Sequence, residues 1–244
     1  MPESPRRPHA ALDRAGRRVK AEKILRILSR AGLPGRPLRV LEVGTGSGAI
    51  ASYFAIDSGL ACDVDAVDVL DQRVVFDGYR FTRVDGTGLP FEARSFDVVI
   101  SNHVIEHVGP LESQRAHLTE IARVLREDGV AYLASPSRWQ VVEPHFGILF
   151  LSWLPRGWRS PYLRWRIGME YDCEPLRQPE IEALFHASGL RFRDECRAAV
   201  FEIRRERRAH PLLEVAARMP DWLFRSLRPM CPTHVYLLFR EHGR

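Results

Sequence analysis

Lysine is almost missing from this chain: of 36 basic residues, only Lys20 and Lys23 are not arginine. So lopsided a choice reads as an arginine habit of composition rather than a binding signal. The formal net charge of +5 is also unevenly spread, with +8 on residues 1–39 and −3 on the remaining 205. The basicity belongs to an N-terminal arm, so contact with phosphates or an acidic membrane surface stays open for that arm alone. Cysteine is scarce too. Cys62, Cys173, Cys196 and Cys231 are far apart and form no CxxC pair, which excludes a zinc ribbon or a disulfide framework and reads as reduced thiols. No apolar run reaches the roughly 18–20 residues of a transmembrane helix, and the longest candidate, Phe146 to Leu154, is about half that. The opening MPESPRRPHA has no apolar leader core, so a cytoplasmic protein with at most peripheral membrane contact is expected. No internal repeat is visible.

What is present suits one large α/β domain. Apolar residues make up 45% of 244, enough for a full core. Residues 1–12 are polar with three prolines and are expected to be a disordered basic tail; 13–244 are expected to form a single domain. Residues 13–32 carry an apolar stripe at helical spacing, stopped by Gly32. Strands are expected at Leu38–Val43, Asp63–Val69, Arg80–Val84, Phe96–Ser101, Val130–Ala134 after an Asp128-Gly129 turn, Leu190–Cys196 and Thr233–Phe239. Helices are expected at Ala49–Ser58, Leu111–Leu125 and Glu180–Ser188. Such alternation implies a doubly wound, mostly parallel sheet, with ligands beyond the carboxyl ends of its strands. Residues 137–176 break the pattern with four tryptophans (Trp139, Trp153, Trp158, Trp165) and read as an aromatic-rich insertion after the fifth strand, a lid over the site.

The most informative stretch is Val40-Leu41-Glu42-Val43-Gly44-Thr45-Gly46-Ser47-Gly48. A buried strand runs into a tight turn whose alternate glycines let a ligand lie on the backbone. The run fits G-x-G-x-x-A as well as G-x-G-x-G, so NAD competes on this motif alone. Asp68 ends the second strand, where a carboxylate can accept from both ribose hydroxyls. Glu42 is an acid inside the first strand, costly unless partnered, and an amino-acid ammonium would be such a partner. Asp85 follows the third strand, where it can accept from an adenine amino group.

Further along, Asp85, Leu89-Pro90-Phe91, Ser95-Phe96-Asp97, Val99 and His107-Val108 follow in fixed order. So does Leu125-Arg126-Glu127-Asp128-Gly129-Val130, with one glycine where two are frequent. Over roughly residues 35–136 the chain resembles the class I S-adenosylmethionine (SAM)-dependent methyltransferases, in particular the large bacterial group with the pattern D-x-x-x-L-P-F…S-F-D-x-V…H-V. The resemblance implies a Rossmann-like, seven-stranded sheet and SAM as cofactor, released as S-adenosylhomocysteine. It assigns Gly44, Thr45, Gly46 and Gly48 to backbone contact with the cofactor and Glu42 to its amino-acid end. Asp68 and Val69 would meet the ribose, Asp85 and Gly86 the adenine, and Asn102 and His103 the methionine portion.

His103, Glu106 and His107 have i, i+3, i+4 spacing and would share a face if their segment were helical. His103 or His107 could then act as a base oriented by Glu106. Relatives that bind a metal near here carry an acid where this chain has His103, so a divalent metal is not expected. His145, within Glu143-Pro144-His145, is a third candidate base. The expected reaction is O-methylation of a small-molecule, sugar or lipid-linked acceptor by a monomer or homodimer. Two other readings stay open: RNA or protein methylation through the basic arm, with nucleic acid not favoured, and a non-catalytic SAM-binding partner module.

Overall fold

Strands buried on both faces need apolar centres: Phe96–Asn102 is buried throughout around Val98-Val99-Ile100, with polar residues toward its ends, and most of Leu38–Val43 is apolar and buried. The computed structural model describes residues 14–143, 146–206 and 211–241. The tail expected at 1–12 and the candidate base His145 lie outside the described residues. The strands β1 (Leu38–Val43), β2 (Cys62–Asp68), β3 (Arg80–Arg83), β4 (Phe96–Asn102), β5 (Leu125–Pro136), β8 (Leu190–Asp194) and β9 (Thr233–Arg240) form one seven-stranded sheet in the order β3-β2-β1-β4-β5-β9-β8. Only β9 runs antiparallel to its neighbours. Strand order reverses between β1 and β4, which opens a crevice beyond their carboxyl ends.

Side-chain alternation sends the two faces of each strand into separate cores. Leu41, Val99, Leu133 and Tyr236 pack with α3 (Leu111–Val124) and α5 (Gln178–Ala187) through Leu118, Ile121 and Phe185. Val40, Ile100, Tyr132 and Leu237 pack on the opposite face with α1 (Arg14–Ser29) and α2 (Ala49–Ser52) through Ile24, Leu28 and Ile50. Asp97, buried at the start of β4, ties the far edge together. It accepts from the Arg39 backbone N–H at 2.8 Å and from the guanidinium groups of Arg36 and Arg126 at 2.6 and 3.0 Å.

Two expectations need correction. The helix expected over Ala49–Ser58 is α-helical only to Ser52 and continues as a wider π-turn over Tyr53–Asp57. The Asp128-Gly129 turn lies inside β5. Leu125 pairs with Phe96 and Val130 with Val98, so five residues advance on β5 against two on β4, and the surplus is taken up as a bulge. The turn signal was local, and the sheet on both sides absorbed it.

The insertion has its own architecture. A hairpin of β6 (Val142–Glu143) and β7 (Ile148–Leu149) leads through a 3-10 turn at Leu151–Trp153 into α4 (Arg156–Ile167). Between β8 and β9 lie α6 (Cys196–Glu206), α7 (Pro211–Arg218) and α8 (Asp221–Leu227). Of the basic run from Arg204, Arg204 itself pairs with Glu214 of α7 at 2.5 Å.

Candidate active site

The turn after β1 has the left-handed backbone that its glycines permit, with φ of +76° at Gly44, +53° at Gly46 and +80° at Gly48. A Cβ on Gly44 would come within 2.4 Å of the Val104 side chain, and one on Gly48 within 2.2 Å of the Val75 carbonyl oxygen. The loop is therefore wedged between the segments that follow β2 and β4. Asp68 fixes it from below: its carboxylate accepts the Gly46 N–H at 2.8 Å and the Leu70 N–H at 3.2 Å.

A cavity of about 900 Å³ opens over this loop. It is lined by Gly44, Gly46, Asp68, Val69, Gly86, Asn102, His103 and His107, bringing together the ends of β1, β2 and β4 and the segment after β3. The insertion adds Gln140, Val142, Glu170 and Asp172 to the wall. Thr45, Gly48, Glu42 and Asp85 are not part of the lining. Glu42 lies beneath the loop, where its carboxylate accepts the Thr45 hydroxyl at 2.8 Å and the Ala51 N–H at 3.0 Å. Burial pushes its carboxyl up to about 8, against those two bonds and the nearby Arg17 charge. The partner that an acid inside a strand requires is thus the protein's own loop. Asp85 is exposed, while its neighbours Val84 and Gly86 reach the cavity.

His103, Glu106 and His107 converge, though not on one helix face. His103 has φ +59° and donates its N–H to Ala134 O at 2.9 Å; only Ile105–His107 form a 3-10 turn. Glu106 is 0% exposed, with Oε1 3.3 Å from His103 Nδ1 and 4.0 Å from His107 Nε2. These are charge contacts without aligned donors on either carboxylate oxygen. Burial opposes ionisation of Glu106, yet the two histidines outweigh it and hold its carboxyl below the ordinary value. His107 Nδ1 lies 3.6 Å from Cys173 Sγ, so its ring is held between a thiol and the carboxylate. Burial raises the Cys173 thiol, which keeps it protonated. Among the described residues no group of three or more His, Cys, Asp or Glu could hold a metal.

Residues 41–133 match the family model described as a methyltransferase domain. Those residues carry a methyltransferase domain. The chain is 36% identical over 112 residues to the fatty-acid O-methyltransferase of Mycolicibacterium smegmatis, spanning 43% of this chain and 40% of that protein. It is 27% identical over 184 residues to the ubiquinone biosynthesis O-methyltransferase of Rhizobium etli, spanning 69% and 65%. The chain thus covers less than two thirds of the length of these relatives. A geranyl diphosphate methyltransferase structure in complex with SAM shares the fold at TM-score 0.55 and 16% identity, covering 93% of this chain and 85% of that one. A putative sarcosine dimethylglycine methyltransferase from Galdieria sulphuraria does so at 0.54 and 17%, covering 91% and 85%.

The cavity of the methyltransferase domain fits that cofactor. A Cβ on Gly86 would meet no protein atom within 4 Å, which leaves room beside the backbone. Asn102 Nδ2 is buried on the cavity wall without a hydrogen-bond partner in the protein. Several wall residues were not legible as such in the sequence, and three of them carry titratable side chains of consequence. Arg17 and Lys20 of α1 line the cavity, and burial, followed by the charges of Arg17 and Lys23, lowers the Lys20 ammonium to about 8. Their signal was available: Arg17 and Lys20 fall on the same stripe as the buried Ala21, Ile24 and Leu28, a place for cations only if that stripe meets an anion. His117, also on the wall, is within 3.0 Å of Ser101 Oγ through Nε2, and burial lowers it to about 4, so it is neutral.

Proposed function

We propose that the protein is a SAM-dependent methyltransferase that methylates a hydroxyl of a small-molecule or lipid-linked acceptor. The observation that carries this reading is the His103–Glu106 pair, 3.3 Å apart, on the wall of the cavity built over the glycine turn. When bound, the cofactor supplies an electrophilic methyl group on a sulfonium. Gly44 and Gly46 would hold it by the backbone, Asp68 would accept from its ribose hydroxyls, and Arg17 and Lys20 would meet its carboxylate. Asn102 Nδ2 would find its missing acceptor there. A hydroxyl acceptor is a weak nucleophile until its proton is drawn off, and His103 is the base placed for this. Its Nδ1 faces the Glu106 carboxylate, which leaves Nε2 for the acceptor hydroxyl, and the buried acid stabilises the imidazolium that forms.

His107, braced between Cys173 and Glu106, packs the wall rather than taking the proton. Residues 137–176 act as the lid that contributes the acceptor side of the cavity. Both relatives above are O-methyltransferases by name, which supports the hydroxyl as target. The test incubates the protein with methyl-labelled SAM and separate metabolite, lipid and RNA fractions of the host. Label is expected in metabolites or lipid, and His103→Asn should lower turnover by about 10²-fold or more while the cofactor still binds. Label in RNA alone would overturn the acceptor class. Cofactor binding without any turnover would favour the partner-module reading, and failure to bind SAM would remove the cofactor assignment.

A further inference from the structure

Helix α4 is built inside out. Arg159 is 1% exposed and donates to Leu154 O at 3.0 Å and Ser152 O at 2.9 Å, with its guanidinium over the Tyr171 ring. Leu163, one turn on, is fully buried beside it. On the opposite side Trp158 and Trp165, seven residues apart and so on one face, are 71% and 79% exposed. An arginine inside and two tryptophans outside reverse the arrangement that water favours. Arg156, Arg164 and Arg166 of the same helix are exposed, and the helix itself contains no acid; Arg156 pairs with Glu174 and Arg164 with Glu170, each at 3.2 Å, in surface ion pairs weak enough for a lipid phosphate to replace. The same insertion exposes Val142, Leu149 and Phe150, and Val142 also lines the cavity.

We propose that the outward face of α4 docks on an anionic phospholipid bilayer, with Trp158 and Trp165 in the headgroup layer and the flanking arginines on lipid phosphates. Tryptophan suits that layer because its ring is apolar and its N–H polar, and arginine keeps a charged head at the phosphates while its stem lies in apolar surroundings. A second copy of the chain fits less well, since a two-fold contact would bring together two helices that each carry three exposed arginines against two nearby acids, Glu170 and Glu174. A nucleic acid could stack on the tryptophans but would leave Leu149 and Phe150 bare. Because Val142 belongs both to the apolar surface and to the cavity wall, a docked molecule would open its cavity beside the membrane. The proposal does not depend on the acceptor reading, since lipid binding needs no turnover.

The test is co-sedimentation of the full chain with phosphatidylcholine vesicles, with and without phosphatidylglycerol, read alongside tryptophan emission. Binding with a blue shift is expected only on the anionic vesicles, weakening as salt rises. Trp158→Ser with Trp165→Ser should remove both the shift and the binding. Arg156→Gln, Arg164→Gln and Arg166→Gln together should weaken binding by about a hundredfold. All five side chains are exposed and the ion pairs of Arg156 and Arg164 are surface pairs worth little, so both variants should retain the parent's melting temperature, and the double tryptophan variant its SAM affinity as well. The proposal is overturned if the parent ignores anionic vesicles or if the double tryptophan variant binds them as well. It also fails if that variant instead loses a dimer or RNA binding. Neither result would touch the methyl-transfer reading, whose readout is labelled product.

Discussion

His103 stands in a backbone conformation that non-glycine residues avoid at a cost of about 1–2 kcal/mol. The strain is held by its N–H on Ala134 O and turns the ring toward Glu106. If Glu106 acts by orienting that ring and stabilising its cation, Glu106→Gln should lower kcat by about 10- to 100-fold and leave SAM affinity unchanged. The pH–rate profile should change shape as well, because the group that balances the imidazolium is gone. An unaltered profile with a uniformly lower rate would mean that Glu106 only packs. The i, i+3, i+4 spacing made this cluster legible in the sequence. Its conformation was not, because a left-handed histidine followed by a single 3-10 turn is imposed by the neighbouring strand and leaves no local signature.

At the scale of elements, the β1–glycine unit could be read almost completely, since strand burial and positive-φ glycines are both local demands. Two glycines separate the demands of the turn. Gly48 and Gly86 both have positive φ, but a Cβ on Gly48 would overlap the Val75 carbonyl and the Tyr79 hydroxyl, whereas one on Gly86 meets nothing. Gly48→Ala should therefore cost about 3 kcal/mol of stability, from strain plus overlap, and Gly86→Ala about 1 kcal/mol from strain alone. Denaturant unfolding of the two variants measures the difference; equal costs would mean that the loop yields freely. Helix α1 was legible as an amphipathic stripe, but its role in the cavity was not, since Arg17 and Lys20 gain meaning only once α1 packs against α2. Replacing both by Gln and Met should weaken SAM binding by about tenfold or more, as measured by titration calorimetry. Of the helices between β8 and β9, the sequence showed only a solvated helix face at the basic run from Arg204, because these helices are short, at 11, 8 and 7 residues, and give few repeats of an apolar period.

For the whole molecule, the buried titratable groups set a stability profile with pH. His117 and His234 are both lowered from 6.5 to about 4 by burial. Between those values the unfolded chain binds more protons than the folded one, so stability rises as pH climbs from about 4 to about 6.5. Glu42 has the opposite sign. Its carboxyl is raised from 4.5 to about 8, so the folded chain holds a proton that the unfolded chain has already lost, and stability falls across that range. Burial raises Asp194 in the same direction. Two histidines outweigh one glutamate below 6.5, and above it the glutamate is unopposed by them. The melting temperature should therefore peak near neutrality and decline toward pH 8. Glu42→Gln isolates the alkaline limb, because a Gln carbonyl oxygen can still accept the Thr45 hydroxyl and the Ala51 N–H that Glu42 Oε2 accepts. The variant should flatten the decline between about pH 6.5 and 8 and steepen the rise between about 4.5 and 6.5, where Glu42 no longer opposes the histidines, as followed by thermal melts of the cofactor-free protein. If parent and variant decline in parallel, Glu42 is ionised at neutral pH. Its counterion in the cofactor-free protein would then be the nearby Arg17 guanidinium.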